Sequence, residues 1–362
     1  MDISKAMNIL IVKLSAIGDV IHALPALNAL KERFPGARID WLVEEAAADL
    51  LIGHRALRRV IVCPRKRWMK ALKDSKGRDS GAVFRSARAF TRDLRRTRYD
   101  LIFDFQNLLK SAVWVALARG EQKIGFGYGL QHPEGSYLFY NRRVPAPSME
   151  RHALERYLLL LETVGIDRPA VVYDLPVFDR HRVAADKLIT RSGLKDKNVL
   201  VAIHPMAGWP TKRWTHAGFA ALADWLIEAR GAGVMFTGAA VDRPEVAAII
   251  GRMQHAAVDL SGQTDLNTLA ALYSGLACLV STDTGPMHLA AAVGTPVVAL
   301  FGPTAPWRTG PYGSGHEIVR PDVSCSPCFR REAQQCNCMQ RIEVATVKRH
   351  VDGVLERAIP AY

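Results

Sequence analysis

The chain has 362 residues, 49% of them hydrophobic and 23% charged, enough for about two packed domains and unlike a disordered, collagen-like or disulfide-scaffold chain. It has no run of about 18 apolar residues that would span a bilayer, and its first twenty residues carry Lys5, Lys13 and Asp19 where a signal peptide has an uncharged core, so a cytoplasmic protein is expected. The formal charge of +13 is local: residues 54–98 alone hold 16 Lys+Arg against 3 Asp+Glu, which is either a solvated basic face or one that attracts the phosphates of nucleic acid, nucleotides or anionic lipid headgroups.

Short β-rich runs alternate with amphipathic helical stretches, the pattern of βαβ units and parallel sheets. The first half predicts strands over 8–13, 38–43, 60–63 and 99–103, with a weaker one at 123–126. Between and after them, helices are predicted over 20–33, 45–52, 82–98, 107–119 and 150–164. The segment 165–176, with Gly165, Pro169 and Pro176, reads as an interdomain linker. The alternation then restarts, with strands over 199–204, 234–237, 278–281 and 297–301 and helices over 215–230, 243–253, 266–273, 286–293 and 343–358. The expected fold is α/β with two doubly wound domains, residues 1–175 and 176–342, and a last helix within 343–362 packing back toward the first domain. Ligands of such sheets bind beyond the carboxyl ends of the strands, so the loops after strands are where function is expected.

The first such loop runs from Lys13 to His22. Ser15 and Gly18 let backbone approach a ligand, and Asp19 stands near the start of a helix. Asp is a preferred helix N-cap. It is equally a general base at the end of a strand, ionised at neutral pH with a reference pKa of about 3.9. The loop carries neither the G-x-G-x-x-G dinucleotide signature nor the phosphate-loop motif. In the second half, Thr211, Lys212 and Arg213 precede the helix expected over 215–230; they either meet a phosphate beside that helix's positive end or are a solvated basic pair.

The run Asp283, Thr284, Gly285, Pro286, Met287, His288 follows an apolar strand, and Pro286 pre-sets the helix. Its early amides and the Thr284 hydroxyl form an anion cradle, with His288 in the first turn near the same end, either a ligand contact or a structural histidine. Phe301-Gly-Pro-Thr304 adds a tight turn beyond another strand. Four of the six cysteines cluster as Cys325-x-x-Cys328 and Cys336-x-Cys338; they are either free thiols in an ordered loop or a tetrahedral zinc site. Cys63 and Cys278 sit in strand patterns and are expected in the core.

These motifs together resemble the bacterial lipopolysaccharide heptosyltransferases, glycosyltransferase family 9. The resemblance is carried by the opening stretch Leu10–His22 with Leu24, Pro25 and Ala26, and by His204-Pro205, Lys212-x-Trp214, Asp283–His288 and Phe301–Thr304. Asp40–Glu45 and the Arg65–Trp68 cluster look most like the heptosyltransferase I branch, whereas Cys325–Phe329 is more typical of heptosyltransferase II. The resemblance runs from about residue 7 to residue 354. It implies the GT-B architecture, two Rossmann-like domains facing a central cleft. The implied donor is ADP-L-glycero-β-D-manno-heptose, bound mainly by the second domain. The implied acceptor is Kdo2-lipid A, or a core already carrying heptose, bound by the first.

Carried over by motif, Asp19 is the catalytic base. Thr211, Lys212, Asp242, Asp283, Thr284, Gly285 and His288 are donor contacts, and Ser15, Gly18, His22, Arg65, Lys66 and Arg67 are acceptor contacts. The family implies inverting transfer with ADP-heptose as co-substrate and no cofactor or metal. It also implies work at the cytoplasmic face of the inner membrane, where an anionic surface favours the basic segment. Two other classes compete. A sugar-nucleotide epimerase would turn over donor without acceptor. A nucleic-acid binder would explain the basic segment but leave Asp283–His288 without a role, and residues 54–98 lack an RNA-recognition signature.

Overall fold

The computed structural model of the protein describes residues 7–130, 134–332 and 337–358, in two compact units, Met1–Pro176 and Val177–Tyr362. The first unit contains β1 (Asn8–Val12), β2 (Arg38–Glu44), β3 (Leu57–Cys63), β4 (Arg98–Asp104), β5 (Arg119–Phe126) and β6 (Arg142–Val144). All pair in parallel, in the order β3-β2-β1-β4-β5-β6. Its helices are α1 (Ile17–Arg33), α2 (Arg65–Asp74), α3 (Ser80–Leu94), α4 (Leu109–Leu117) and α5 (Ala153–Leu159). Ile9 to Val12 are fully buried, which is why β1 reads as an unbroken apolar run, as a strand of a parallel sheet covered on both faces does.

The second unit opens with α6 (Asp179–Arg191) and then contains β7 (Leu200–His204), α7 (His216–Arg230), β8 (Gly233–Phe236), α8 (Arg243–Ile250), β9 (Val258–Asp259), α9 (Leu266–Ser274) and β10 (Cys278–Thr282). It finishes with α10 (Gly285–Ala292), β11 (Val297–Leu300), α11 (Pro306–Thr309), β12 (Glu317–Val319) and α12 (Val344–Ala358). Its parallel sheet runs β12-β11-β10-β7-β8-β9. Counted from the start of each unit, both sheets share one strand order, 3-2-1-4-5-6. In each, the winding reverses between the first and fourth strands, so the ligand crevice of each lies beyond the carboxyl ends of that pair.

Several elements differ from the sequence-based expectation for identifiable reasons. The helix expected over 45–52 is a 3₁₀ segment, Glu45–Leu50, and the one over 150–164 is α5 followed by a 3₁₀ turn, Leu160–Val164. The helix expected to run to residue 98 stops at Leu94 because Arg98 opens β4. Pro286 takes the second helical position of α10, since Gly285 is the first. β6 and β12, three residues each, are too short to show a period. The segment 165–176 is held by the first unit: Asn28 Nδ2 donates to the carbonyls of Val172 (2.7 Å) and Tyr173 (3.2 Å), and Arg55 pairs with Asp174 at 2.5 Å. The apolar stripe of the last helix, α12, with Val347, Val351, Val354 and Leu355, lies in the core of the second unit with Val201, Phe219 and Val298.

Gly302, just past β11, is a close-approach position. A Cβ there would lie 2.6 Å from Met339 Sδ and 2.7 Å from Cys338 Sγ, both buried. Gly302→Ala should therefore destabilise the chain by about 1–3 kcal/mol, the usual cost of overpacking. Urea unfolding reads this directly, and an unchanged midpoint would refute it.

Candidate active site

In the first unit, the loop from β1 into α1 is shaped from the neighbouring strand. Gln106, just past β4, accepts with Oε1 from the amides of Leu14 and Ser15, both at 3.1 Å. Asp19 occupies the third position of α1, where a carboxylate also suits the helix's positive end. Its Oδ2 accepts from the Ala16 amide at 3.1 Å and its Oδ1 from the Tyr157 hydroxyl at 3.0 Å. The side chain is 37% exposed, so it is held from behind and open in front.

Behind it lies Lys13, the residue that follows β1 and is only 2% exposed. Its ammonium donates to the Tyr157 hydroxyl at 2.7 Å and to the Phe105 carbonyl at 3.3 Å, and sits 3.9 Å from Asp19 Oδ2. Burial pushes the Lys13 pKa down to about 8, against the pull of Asp19 and Asp104 upward; Lys110 and Arg156 add to the lowering. Burial and the Asp19 charge push the Tyr157 phenol well up, so Tyr157 stays a neutral hydroxyl between a cation and an anion. Nothing in the local sequence pointed to Tyr157 or Gln106, and Lys13 had drawn notice only as a charge.

The other expected acceptor contacts are placed as follows. Ser15 is half-buried and accepts with Oγ from Lys110 Nζ at 2.7 Å. Gly18 is buried in the first turn of α1. His22 is buried at 2% exposure with its ring edge-on to His152 at 5.0 Å; it packs inside the unit. Arg65 Nε donates to the buried Glu44 carboxylate at 2.7 Å, with Lys66 Nζ at 3.8 Å from the same group. Arg67 pairs with Glu45. These cations are thus ordered along the carboxyl end of β2, and Lys66 and Arg67 are largely exposed.

In the second unit, Lys212 closes a 3₁₀ turn, Pro210–Lys212, after β7, and Asp283 follows β10. Those are the first and fourth strands of that sheet, and the two side chains meet: Nζ lies 2.7 Å from Asp283 Oδ2. Thr304 Oγ1 donates to the same carboxylate at 2.7 Å, and the Trp209 ring lies under both Lys212 Nζ (4.4 Å) and Arg331 (4.5 Å). Thr284 and Gly285 form the half-buried tip at the start of α10.

The other three expected donor contacts are placed as follows. Thr211 is buried and its hydroxyl donates to the Arg330 carbonyl at 2.8 Å, so it fixes the 330 segment. His288, on α10, is 7% exposed. Asp242 accepts with Oδ2 from the Ala239 amide at 2.8 Å, closing its own turn after β8. Beneath the site, His204 meets Thr237 at 3.1 Å, and burial lowers its pKa to about 4, so it is a neutral structural group.

Cys63 and Cys278 are buried. Cys325 is exposed, Cys328 half-buried and Cys338 buried in the second core, while Cys336 lies outside the described residues. Among the described residues no group of three or more His, Cys, Asp or Glu is arranged to hold a metal ion, and no helix is long and apolar enough to cross a membrane.

Two sheets of one topology, each with polar side chains gathered beyond its first and fourth strands, define a protein of two Rossmann-like α/β domains. A family model described as Glycosyltransferase family 9 (heptosyltransferase) matches residues 87–338. Lipopolysaccharide heptosyltransferase 1 of Pseudomonas aeruginosa is 34% identical over 331 residues, covering 90% of this chain and 87% of that protein. The protein of the same name from Escherichia coli K12 is 30% identical over 319 residues, 87% of this chain and 93% of that one. The solved structure of E. coli heptosyltransferase WaaC with ADP-2-deoxy-2-fluoro heptose matches with a TM-score of 0.75 at 27% identity, covering 96% of this chain and 99% of that one. The chain belongs to glycosyltransferase family 9, the heptosyltransferases.

Proposed function

We propose that the protein transfers L-glycero-D-manno-heptose from ADP-L-glycero-β-D-manno-heptose to Kdo2-lipid A, the reaction of a heptosyltransferase I, with inversion at the anomeric carbon and no metal requirement. The observation that carries this reading is the 34% identity to lipopolysaccharide heptosyltransferase 1 over 90% of the chain. Asp19 and the Lys212–Asp283 pair supply the matching chemistry. The acceptor is multiply anionic through phosphates and Kdo carboxylates, which suits Lys66 and Arg67. The enzyme works at the cytoplasmic face of the inner membrane, where its lipid-linked acceptor resides.

In this mechanism Asp19 takes the proton of the acceptor hydroxyl as that oxygen attacks the anomeric carbon, and the bond to the ADP oxygen breaks. Lys212 and the first amides of α10 offset the charge growing on the departing diphosphate. Tyr157 and the Ala16 amide hold the Asp19 carboxylate in one rotamer. The deciding assay is heptose transfer with Kdo2-lipid A and with its monoheptosylated form as competing acceptors. Preferential use of the heptosylated form would replace this reading with a heptosyltransferase II, and donor turnover without acceptor would replace it with an epimerase. Undiminished turnover in EDTA checks the metal-free route.

The Lys13 network gives this mechanism a pH dependence. Below about pH 8 the protonated amine donates to Tyr157 oxygen, which leaves the phenolic proton for Asp19. Above it, the neutral amine accepts the phenolic proton and Asp19 loses a clamp. The kcat should therefore fall as pH rises through about 8, and Lys13→Met should lack that limb. A Lys13→Met profile with the same alkaline break would refute the assignment.

A further inference from the structure

We propose that the outward face of α3 is a docking surface for an anionic bilayer, with an arginine groove that takes lipid headgroup phosphate and Phe84 entering the interface beside it. This rests on, and deepens, the reading of a membrane-borne acceptor. Residues 84, 88 and 92 follow helical spacing, so they share one side of α3, and Arg95 directly follows its last residue. Arg88, Arg92 and Arg95 there join Arg96 and Arg119, the first residue of β5, to line one open concavity, whose rim includes Phe84.

The charge in this groove is poorly compensated from within. Asp93 is shared between Arg96 at 3.4 Å and Arg59 at 3.1 Å, and Arg95 donates to the Leu117 carbonyl at 2.9 Å. Arg88 and Arg92 extend into solvent. Phe84 is 69% exposed, while the opposite side of α3 is fixed through Phe90, whose ring packs against Trp68 and Trp114 at 5.7 Å and 5.0 Å. The helix is thus anchored to its unit by one side and turns a mixed basic and apolar side outward.

That mixture selects the occupant. A nucleic acid offers phosphates to the arginines but nothing to an exposed phenylalanine in a groove without further aromatic rings for stacking. A bilayer surface offers both: headgroup phosphates for the guanidiniums and an interfacial zone for the ring. Guanidiniums suit the phosphate because they bind it with paired N–H donors. These residues are separate from Asp19, Lys66, Arg67 and the Lys212–Asp283 pair, so docking and chemistry are independently testable.

The experiment is sedimentation of the full chain with vesicles of phosphatidylcholine alone or mixed with phosphatidylglycerol. Binding is expected only to the mixed vesicles and should weaken with salt. Each of Arg88→Ala and Arg92→Ala should lower the partition constant by about fivefold, and Phe84→Ser by about tenfold. Heptose transfer to a deacylated, soluble Kdo acceptor should be the same in these variants as in the parent.

Equal binding to both vesicle types would overturn the docking surface, as would mixed-vesicle binding unchanged in all three variants. So would binding to duplex oligonucleotide tighter than to mixed vesicles at the same salt. Failure of the parent to use the soluble acceptor would count against the acceptor reading alone, since vesicle binding does not depend on it.

Discussion

Asp19→Asn should lower kcat by about 10²–10⁴-fold, the range typical of a lost general base, while ADP affinity stays at the parent value. Asparagine keeps the size of the side chain and one carbonyl oxygen, so it preserves one of the two hydrogen bonds, from Ala16 or from Tyr157. What it loses is the proton acceptor, and the loss should appear in kcat at saturating donor rather than in donor KM. ADP affinity is insulated because Lys212 and the first amides of α10, which meet the diphosphate in this mechanism, belong to the other unit. Steady-state transfer kinetics and calorimetry with ADP make the check. An Asp19→Asn enzyme with parental kcat would remove Asp19 from the chemistry and leave it a helix-start residue.

The sequence showed where to look for this residue but not what surrounds it. The central strands were legible because burial on both faces leaves a continuous apolar signal, as in β1 and β10. Candidate loops were then legible by position, and the family resemblance supplied the roles: Asp19, Lys212 and Asp283 each follow a first or fourth strand. The supporting groups were not. Tyr157 reaches Asp19 across 138 positions of sequence, and Thr304 meets Asp283 only because β11 runs beside β10. Such contacts are made by topology and leave no local period to read.

His22, Thr211 and His288 sit in motifs that point to ligand, and all three are buried, His22 against the His152 ring and Thr211 on the Arg330 carbonyl. Counting charge in the basic segment missed that Arg65 and Arg67 answer Glu44 and Glu45 at the end of β2, outside the counted window. The helix α6 escaped notice because only His181, Ala185 and Leu188 of its thirteen residues are buried, a stripe too thin to stand out from its polar surroundings.

Lys212→Met should reduce ADP affinity by roughly tenfold to a hundredfold, the range of one lost charge-assisted hydrogen bond. It should also destabilise the second unit. Lys212 and Asp283 are 16% and 7% exposed and 2.7 Å apart, and removing one partner of a buried pair costs about 3–5 kcal/mol when the other charge is left behind. The lower end applies here, because Lys212 retains some solvent and Thr304 still donates to the carboxylate. The two effects separate in Lys212→Met/Asp283→Asn. Neutralising the carboxylate should restore the unfolding midpoint but leave ADP binding weak, because no cation has returned to meet the diphosphate. Recovery of ADP affinity in the double variant would instead mean that Lys212 serves only to cancel Asp283, and parental affinity in Lys212→Met alone would exclude it from the nucleotide site.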